Sequence, residues 1–260
     1  MLHNKGEKMK ELKILYLYPD ILDLYGDVGN IEVLKYRIEK REIKLIIDTY
    51  SIGDAKPDFK AYDIIFAGGG ADNEQRILSE DLVRYKDDIT EAVKLGVFFL
   101  LICGSYQLFG KYYKGVDGKI IPGLGVFDYY TEAIPDRKKR CIGNIIVEAN
   151  LGGKKVKVIG FENHGGLTYG VDNCFGKVLY GNGNKLNDCE EGFMRDNVIA
   201  TYLHGPLLSK NPELTDYILM KCLKRKYSEN IELKKLNDEF EKLCREQLFE
   251  KFLKISKNKW

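Results

Sequence analysis

Residues 97–110 read VFFLLICGSYQLFG, and this stretch decides the fold. Its first six residues are apolar and rich in aromatic and β-branched types, which predicts a buried strand. The residues after Cys103 can open a helix, with Gly104 at the turn. A strand, a sharp turn and a helix form a nucleophile elbow, which exposes a thiol at the carboxyl end of the strand and near a helix N-terminus. The alternative is a free cysteine that fills the core.

Two other predicted strands end in residues that suit acyl transfer. The apolar strand 63–67 runs into the glycines at 68–70, whose bare N–H groups can approach an anion closely. A later strand, 197–203, runs directly into His204. Ligands bind beyond the carboxyl ends of the strands of an open parallel sheet. A cysteine, a glycine-lined anion site and a histidine at that edge therefore predict a thiol acyl-transfer site.

Strands and helices alternate over the first hundred residues. The strands are predicted at 13–18, 44–50, 63–67 and 97–102, and the helices at 31–41 and about 79–95. This rhythm predicts an α/β fold with a mainly parallel central sheet and helices on both faces.

From about Gly123 onward, the alternation of strands and helices gives way to short strands. Short strands are predicted at 141–149, 155–162, 177–181 and 192–195, separated by Gly, Asn and Asp turns. They predict an antiparallel extension that brings His204 back to the site. Beyond Pro212 the chain is predicted to be helical, at 213–226 and 231–255. We therefore divide the chain into a flexible N-terminus (1–11), a main domain (12–212) and a helical C-terminal extension (213–260).

The composition argues against several classes of partner. The 260 residues carry 41 basic and 39 acidic side chains, so we expect neither nucleic acid nor an anionic membrane as a partner. The longest apolar run is far short of the ~20 residues of a membrane span, and the start has no signal-peptide pattern. The six cysteines show neither zinc-site spacing nor disulfide density. We expect reduced thiols in a cytoplasmic protein.

Several separated motifs resemble one family. The elbow resembles that of class I (triad-type) glutamine amidotransferases, and further segments resemble the cobyric-acid-synthase (CobB/CobQ-like) branch. Within this branch they resemble the GatD-type amidotransferase subunits of lipid II isoglutaminyl synthases. The likeness spans about residues 12–225 and is carried by segments 18–31, 68–75, 101–107, 140–144, 161–166 and 203–206. It implies a flavodoxin-like amidotransferase domain.

The resemblance also implies a role for each candidate site residue. Cys103 would be the nucleophile and His204 the general base, and the backbone N–H groups of Gly70 and Gly104 would form the oxyanion hole.

Three further polar residues are candidates for the site. Arg140 would hold the carboxylate of glutamine, or it is one more surface cation in the basic run 137–140. Gln107 would bind glutamine, or it only starts a helix. His164, in a glycine-rich turn after a strand, is the competing base.

The implied reaction is hydrolysis of L-glutamine to glutamate and ammonia, with no metal or organic cofactor in this chain. Ammonia would pass to a Mur-ligase-like subunit (MurT type) in a heterodimer, and that subunit would use ATP and Mg²⁺ to amidate the D-glutamate of the lipid II stem peptide. The sequence contains no P-loop motif, which agrees with an ATP site in the partner. The alternatives are an amidotransferase for a corrinoid-type carboxylate, a γ-glutamyl hydrolase and a regulatory module with a vestigial elbow.

One position departs from the family pattern. Many class I amidotransferases carry a Glu two residues after the catalytic His, but Pro206 stands there. An imidazole without an acidic neighbour is a poorly oriented base, so we expect the isolated chain to be slow. Either another carboxylate of this chain fills that role or a partner protein supplies it, and the resemblance favours an Asp from the partner. We interpret Asp20 and Asp27, after the first strand, as helix N-caps rather than site carboxylates.

Overall fold

The apolar runs predicted as strands form the central sheet of the protein. The computed structural model describes residues 9–227 and 230–257, and most of the predicted flexible N-terminus lies outside these ranges. The strands of the described chain are β1 (Glu11–Leu17), β2 (Lys44–Tyr50), β3 (Ile64–Ala67), β4 (Phe98–Ile102), β5 (Tyr112–Lys114), β6 (Ile120–Pro122), β7 (Tyr130–Ala133), β8 (Cys141–Leu151), β9 (Lys154–His164), β10 (Gly166–Tyr169), β11 (Gly176–Tyr180), β12 (Glu190–Glu191), β13 (Phe193–Arg195) and β14 (Val198–Thr201). The α-helices are α1 (Gly29–Glu39), α2 (Asp72–Leu82), α3 (Lys86–Lys94), α4 (Gly104–Phe109), α5 (Pro212–Lys226) and α6 (Glu239–Lys257).

The central sheet has the strand order β13-β14-β4-β3-β1-β2. All neighbouring strands are parallel except β13 and β14. The chain moves outward from β1 to β2 in one direction and from β3 to β4 in the other. Right-handed crossovers therefore place α1 on one face and α2 and α3 on the opposite face. The predicted α/β class with a mainly parallel sheet is confirmed.

The strands nearest the middle of this sheet are fully buried. Every residue of β3, β4 and β14 is inaccessible to solvent or nearly so, because helices cover the sheet. This explains why these strands appear in the sequence as continuous apolar runs. Their carboxyl ends meet at one edge, which is where the three candidate segments end.

The predicted helix at 79–95 is wrong in its start and in its continuity. α2 begins at Asp72, and a 3-10 turn at Val83–Tyr85 separates it from α3. The first turn of α2 is entirely polar, so it lacks the apolar spacing that marks a helix in the sequence. Its early start brings Gln75 next to the glycine turn.

The predicted extension forms two four-stranded sheets, with orders β10-β7-β5-β6 and β12-β11-β8-β9. The long hairpin of β8 and β9 pairs eleven residues on each side. Its second strand contacts the end of the central sheet, where the N–H groups of His204 and Phe161 each donate to the other residue's carbonyl, at 2.9 and 3.0 Å. The extension therefore fixes the backbone of His204, as predicted.

The C-terminal residues form two helices, but the second begins eight residues later than predicted, at Glu239. Residues 231–238 are not helical, because they lie across α1, where Asp238 pairs with Arg37 at 2.6 Å. Helix α6 then packs Phe252 against the β8–β9 hairpin and pairs Arg245 with Glu213 at 2.6 Å. No helix in the described ranges has the length and apolar character needed to cross a membrane.

Candidate active site

Cys103 lies at the strained turn between β4 and α4. Its backbone has φ 52° and ψ −99°, a conformation that a residue with a side chain adopts only under constraint. Two contacts supply the constraint: the Cys103 N–H donates to Thr201 at 2.8 Å, and Ser105 Oγ donates to the Ala67 carbonyl at 2.7 Å. The predicted elbow geometry is therefore present, and Cys103 lines a cleft of about 630 Å³.

The site is assembled around Gly69. A Cβ at this position would lie 2.8 Å from Cε1 of His204, 3.4 Å from Cβ of Cys103 and 3.2 Å from Oδ2 of Asp27. Two side chains that follow strand ends and one from the turn before α1 thus converge on a point that only glycine leaves free. Neighbouring parallel strands place these ends together, which the sequence predicted for Cys103 and His204.

Asp27 gives His204 an acidic neighbour inside the chain, whereas the resemblance favoured an acid from the partner. The Asp27 carboxylate is fully buried, with Oδ1 3.0 Å from Nδ1 of His204 and Oδ2 accepting from the Gly69 N–H at 2.8 Å. Its interpretation as a helix cap is wrong, since Val28 is the N-cap of α1 and no side chain in the described part of the chain caps that helix. Asp20 accepts from Ser51 Oγ at 2.7 Å on the surface.

The imidazole of His204 sits between the Asp27 carboxylate and the Cys103 sulfur. Burial disfavours its protonated form, but the charge of Cys103 and the hydrogen-bonded carboxylate of Asp27 outweigh burial and raise the pKa of His204 to about 10. Nε2, the nitrogen away from Asp27, has no hydrogen-bond partner among the described residues, and the Cys103 sulfur is the group that interacts with the ring on this side. Both neighbours therefore favour the protonated form of the ring, which can deliver a proton to a leaving group.

The two predicted oxyanion donors, Gly70 and Gly104, are neighbours. A Cβ on Gly104 would lie 2.8 Å from the backbone nitrogen of Gly70, so only glycine permits this approach. The Gly69 N–H is already engaged by Asp27, and Gln75 Nε2 donates to the Gly70 carbonyl at 3.2 Å. These contacts fix the turn on both sides of the Gly70 N–H.

Gln107 is buried in the wall of the cleft, and its amide is engaged at both ends. Its Oε1 accepts from Gln75 Nε2 at 2.7 Å, and its Nε2 donates to the Tyr202 hydroxyl at 3.2 Å. The sequence does not indicate Gln75 as a site residue, because the predicted helix begins only at residue 79. Gln107 thus shapes the cleft wall, and its contact with glutamine stays a prediction.

Arg140 stands at the exposed rim of the cleft. Its Nη2 donates to Oδ1 of Asn163 at 3.1 Å, and Asn163 Nδ2 donates to the Tyr25 hydroxyl at 2.5 Å. The Tyr25 ring meets the imidazole of His204 edge-on, with 5.0 Å between ring centroids. A chain of surface contacts therefore links Arg140 to the base, and Tyr25 and Asn163 are rim residues that the sequence did not reveal.

His164, the competing base, is held in the cleft wall by other contacts. Its Nδ1 donates to the Gly166 carbonyl at 2.7 Å, and its ring stacks on Tyr202 with 3.6 Å between centroids. Its Nε2 lies 3.9 Å from Oε2 of Glu162, whose carboxylate accepts from the N–H groups of Asn182 and Gly183. The ring that lies beside Cys103 is His204, so the geometry favours His204 as the base.

Residues 13–212 match the CobB/CobQ-like glutamine amidotransferase domain. The chain is 42% identical over 219 residues to the lipid II isoglutaminyl synthase (glutamine-hydrolyzing) subunit GatD of Staphylococcus aureus, with 84% of this chain and 87% of that protein covered. The subunit of the same name from Streptococcus pneumoniae is 39% identical, with 90% and 88% covered.

A chain in the solved structure of PurLQS from Thermotoga maritima superposes with a TM-score of 0.56 at 13% identity, over 84% of this chain and 99% of that chain, and supports the fold alone. The domain match and the two relatives confirm the resemblance seen in the motifs. On this evidence the chain belongs to the CobB/CobQ-like glutamine amidotransferase family.

Proposed function

We propose that this chain is the glutaminase subunit of a lipid II isoglutaminyl synthase. It would hydrolyse L-glutamine and deliver ammonia to a Mur-ligase-like subunit of the MurT type, which amidates the D-glutamate of the lipid II stem peptide during peptidoglycan synthesis. Two relatives that carry this enzyme's name match the chain over 84–90% of its length, and this supports the proposed pathway. The observation that carries the chemistry is the convergence of Cys103, His204 and Asp27 on Gly69.

The proposed reaction has two halves. His204 takes the proton of the Cys103 thiol, and the thiolate attacks the side-chain carbonyl carbon of glutamine while the N–H groups of Gly70 and Gly104 stabilise the oxyanion. As the C–N bond breaks, His204 gives this proton to the leaving amide nitrogen, which departs as ammonia and leaves a thioester on Cys103. The neutral imidazole then takes a proton from water as the water attacks the thioester, and glutamate is released.

The second substrate and the nucleotide belong to the partner in this proposal. ATP and Mg²⁺ would activate the D-glutamate carboxylate there, and the two subunits would form a heterodimer in the cytoplasm. All six cysteines of this chain are free thiols, which fits that compartment.

The nucleophile is tested with 6-diazo-5-oxo-L-norleucine, an electrophile shaped like glutamine. We expect one adduct, at Cys103, in a peptide map by mass spectrometry, together with loss of glutamate release. The Cys103→Ser variant should form no adduct and release no glutamate. The Cys189→Ser variant, changed at an exposed thiol, should form the adduct and release glutamate like the wild type. An adduct at another cysteine with Cys103 unmodified would show that the elbow is not the reactive site.

The acceptor is tested in the complex with the Mur-ligase-like subunit, given lipid II, ATP and Mg²⁺. We expect amidated lipid II when either glutamine or an ammonium salt is supplied to the wild type. The Cys103→Ser complex should work with the ammonium salt alone, because only the glutaminase half is lost. A wild-type complex that releases glutamate but leaves lipid II unchanged would mean that the acceptor is a different carboxylate.

A further inference from the structure

Gln75 lies behind the glycine turn that carries one of the two oxyanion donors. The side chain is buried in the first turn of α2, and its Nε2 donates to the Gly70 carbonyl at 3.2 Å and to Gln107 Oε1 at 2.7 Å. A Cβ on Gly104 would lie 3.2 Å from the same nitrogen, so Gln75 also lies beside the residue of the second donor. One amide therefore borders the oxyanion hole on both sides.

Gly70 is held through the peptide units on both of its sides. The peptide unit that contains the Gly70 N–H also contains the Gly69 carbonyl, which accepts from the Leu24 N–H at 3.1 Å. The next unit contains the Gly70 carbonyl, which accepts from Gln75. Glycine has wide conformational freedom, so both units must be anchored to fix the direction of its N–H. Loss of the Gln75 contact would release one of these two anchors.

The hydrogen bonds behind Gln75 run in one direction. A carbonyl only accepts, so the Gly70 carbonyl requires the nitrogen of the Gln75 amide to face it. That nitrogen in turn requires the oxygen of Gln107, whose Nε2 then donates to the Tyr202 hydroxyl at 3.2 Å. The Gln75 oxygen has no hydrogen-bond partner among the described residues, so the two donated bonds are what hold this amide.

The far end of these hydrogen bonds lies in the antiparallel extension. The Tyr202 hydroxyl lies 2.6 Å from Thr168 Oγ1 on β10, which lies 2.9 Å from Thr131 Oγ1 on β7. The sheet of β7 and β10 also lines the cleft, through Tyr113. Paired polar groups in a buried network make it rigid. Five side chains of this network are at most 3% exposed: Gln75, Gln107, Tyr202, Thr168 and Thr131.

We propose that Gln75 is a positioning residue for the oxyanion hole, and that Gln107 and Tyr202 hold Gln75 in place. This inference rests on the glutaminase function proposed above. When the thiolate attacks, the carbonyl oxygen of glutamine gains negative charge, and a donor that already points at this oxygen stabilises it most. Gln75 keeps the Gly70 N–H in that direction without a contact of its own to the substrate. Its contribution is therefore to kcat rather than to KM.

The test is Gln75→Met in the full chain, with the Mur-ligase-like subunit present. Methionine has a similar length and volume but no donor, so the Gly70 carbonyl loses its partner. Removal of one oxyanion donor costs about 10²–10³-fold in kcat, and a donor that is only misdirected should cost less. We expect kcat for glutamine hydrolysis to fall by about 10–10²-fold while KM changes little. Gln247→Met, on the exposed side of α6, is the matched control and should keep the wild-type kcat.

Alkylation of Cys103 by iodoacetamide separates this role from a merely structural one. The thiolate displaces iodide from a saturated carbon, so no oxyanion forms in this reaction. We expect Gln75→Met to be alkylated at Cys103 at the wild-type rate, measured by timed peptide mapping in a mass spectrometer. A wild-type kcat in Gln75→Met would overturn the proposal. An alkylation rate that falls as far as kcat would overturn it too, because the damage would then be to the elbow itself.

The support behind Gln75 is tested with Tyr202→Phe, which removes the hydroxyl that accepts from Gln107 and keeps the ring that stacks on His164. We expect a smaller fall in kcat than in Gln75→Met, because the contact with the Gly70 carbonyl remains. Adding Tyr202→Phe to Gln75→Met should lower kcat no further, since both changes act through one contact. Additive losses would contradict the role proposed for Tyr202.

Gln75→Asn keeps the proposal testable if the methionine variant does not fold. Its amide is one methylene too short to reach both acceptors, so we expect the same fall in kcat with unchanged alkylation of Cys103. A wild-type kcat in this variant would overturn the proposal as well.

Failure of the glutaminase function itself would look different. In that case the wild-type complex would release no more glutamate than the Cys103→Ser complex. A failure of the Gln75 proposal alone would leave Cys103→Ser inactive and Gln75→Met as active as the wild type.

Discussion

The inner end of the cleft and its rim are built in opposite ways. At the inner end, Cys103, His204 and Asp27 are at most 5% exposed, and backbone or buried partners hold each of them. At the rim, Arg140 and Tyr25 are exposed and are linked through Asn163 by hydrogen bonds open to water. Buried contacts are strong and rigid, whereas exposed ones are weak and adaptable. We therefore expect inner variants to lower kcat and rim variants to raise KM.

Gly69→Ala should have the largest effect of the three variants that compare these regions. The added methyl would lie 2.8 Å from His204 and 3.2 Å from the Asp27 carboxylate, so the base must move. Misplacement of a catalytic group by about 1 Å can cost about 10²-fold in rate, and we expect a fall in kcat of at least that size. Steady-state glutamate release measures it.

Gly115→Ala is the control for Gly69→Ala. A Cβ there would lie 3.0 Å from the end of the exposed Asp117 side chain, which can turn away, and 3.6 Å from the Lys119 carbonyl, which is an ordinary contact distance. We expect kcat close to the wild-type value. Equal kcat values in the two variants would show that the inner end is less tightly packed than the structure indicates.

Arg140→Ala should have the next largest effect, and on KM rather than kcat. Loss of a hydrogen bond to a charged group costs about 1.5–3 kcal/mol, which is a fall in kcat/KM of about 10–150-fold. Arg140→Lys should recover little of this, because an ammonium lacks the planar fork that matches a carboxylate. Lys139→Ala removes a neighbouring charge and should leave the glutamine kinetics unchanged. Unchanged kinetics in Arg140→Ala would make it a surface cation only.

The parallel half of the fold was more predictable than the extension. The strands β3 and β4 are continuous apolar runs because they lie inside the sheet, and β2, at the edge of the sheet, begins and ends as predicted. The strands β5, β6, β7 and β10 are three or four residues long, too short to show a period, and were missed. Their register depends on contacts with distant strands, which a local pattern does not record.

The site shows the same division. Cys103 and His204 follow strands whose ends had to meet, so the sequence indicated both. Asp27 lies in an irregular turn, 177 residues from its partner, and resembles a helix cap. The close contact of Gly29 with Pro206 brings it into the site, and no local pattern records a contact between two loops. Long-range contacts of single side chains are therefore the part of this site that sequence reasoning could not supply.

Tyr25→Phe should have the smallest effect, because it changes the rim and leaves the ring on His204 in place. The variant loses only the hydrogen bond between the Tyr25 hydroxyl and Asn163. A single neutral hydrogen bond contributes about 0.5–1.5 kcal/mol, so we expect KM for glutamine to rise by about 2–10-fold while kcat stays near the wild-type value. The expected rise in KM reflects a freer Asn163 and, through it, a less well-oriented Arg140.

The control for the tyrosine is Tyr36→Phe, on the exposed face of α1, which should leave both constants unchanged. The Arg140→Ala background sharpens the comparison further. If Tyr25 acts through Asn163 on Arg140, then adding Tyr25→Phe to Arg140→Ala should raise KM no further, because the two changes affect one chain of contacts. Additive effects would separate them. A fall in kcat in the single Tyr25→Phe variant would show that the rim hydroxyl also positions His204, and the division between inner end and rim would then not hold.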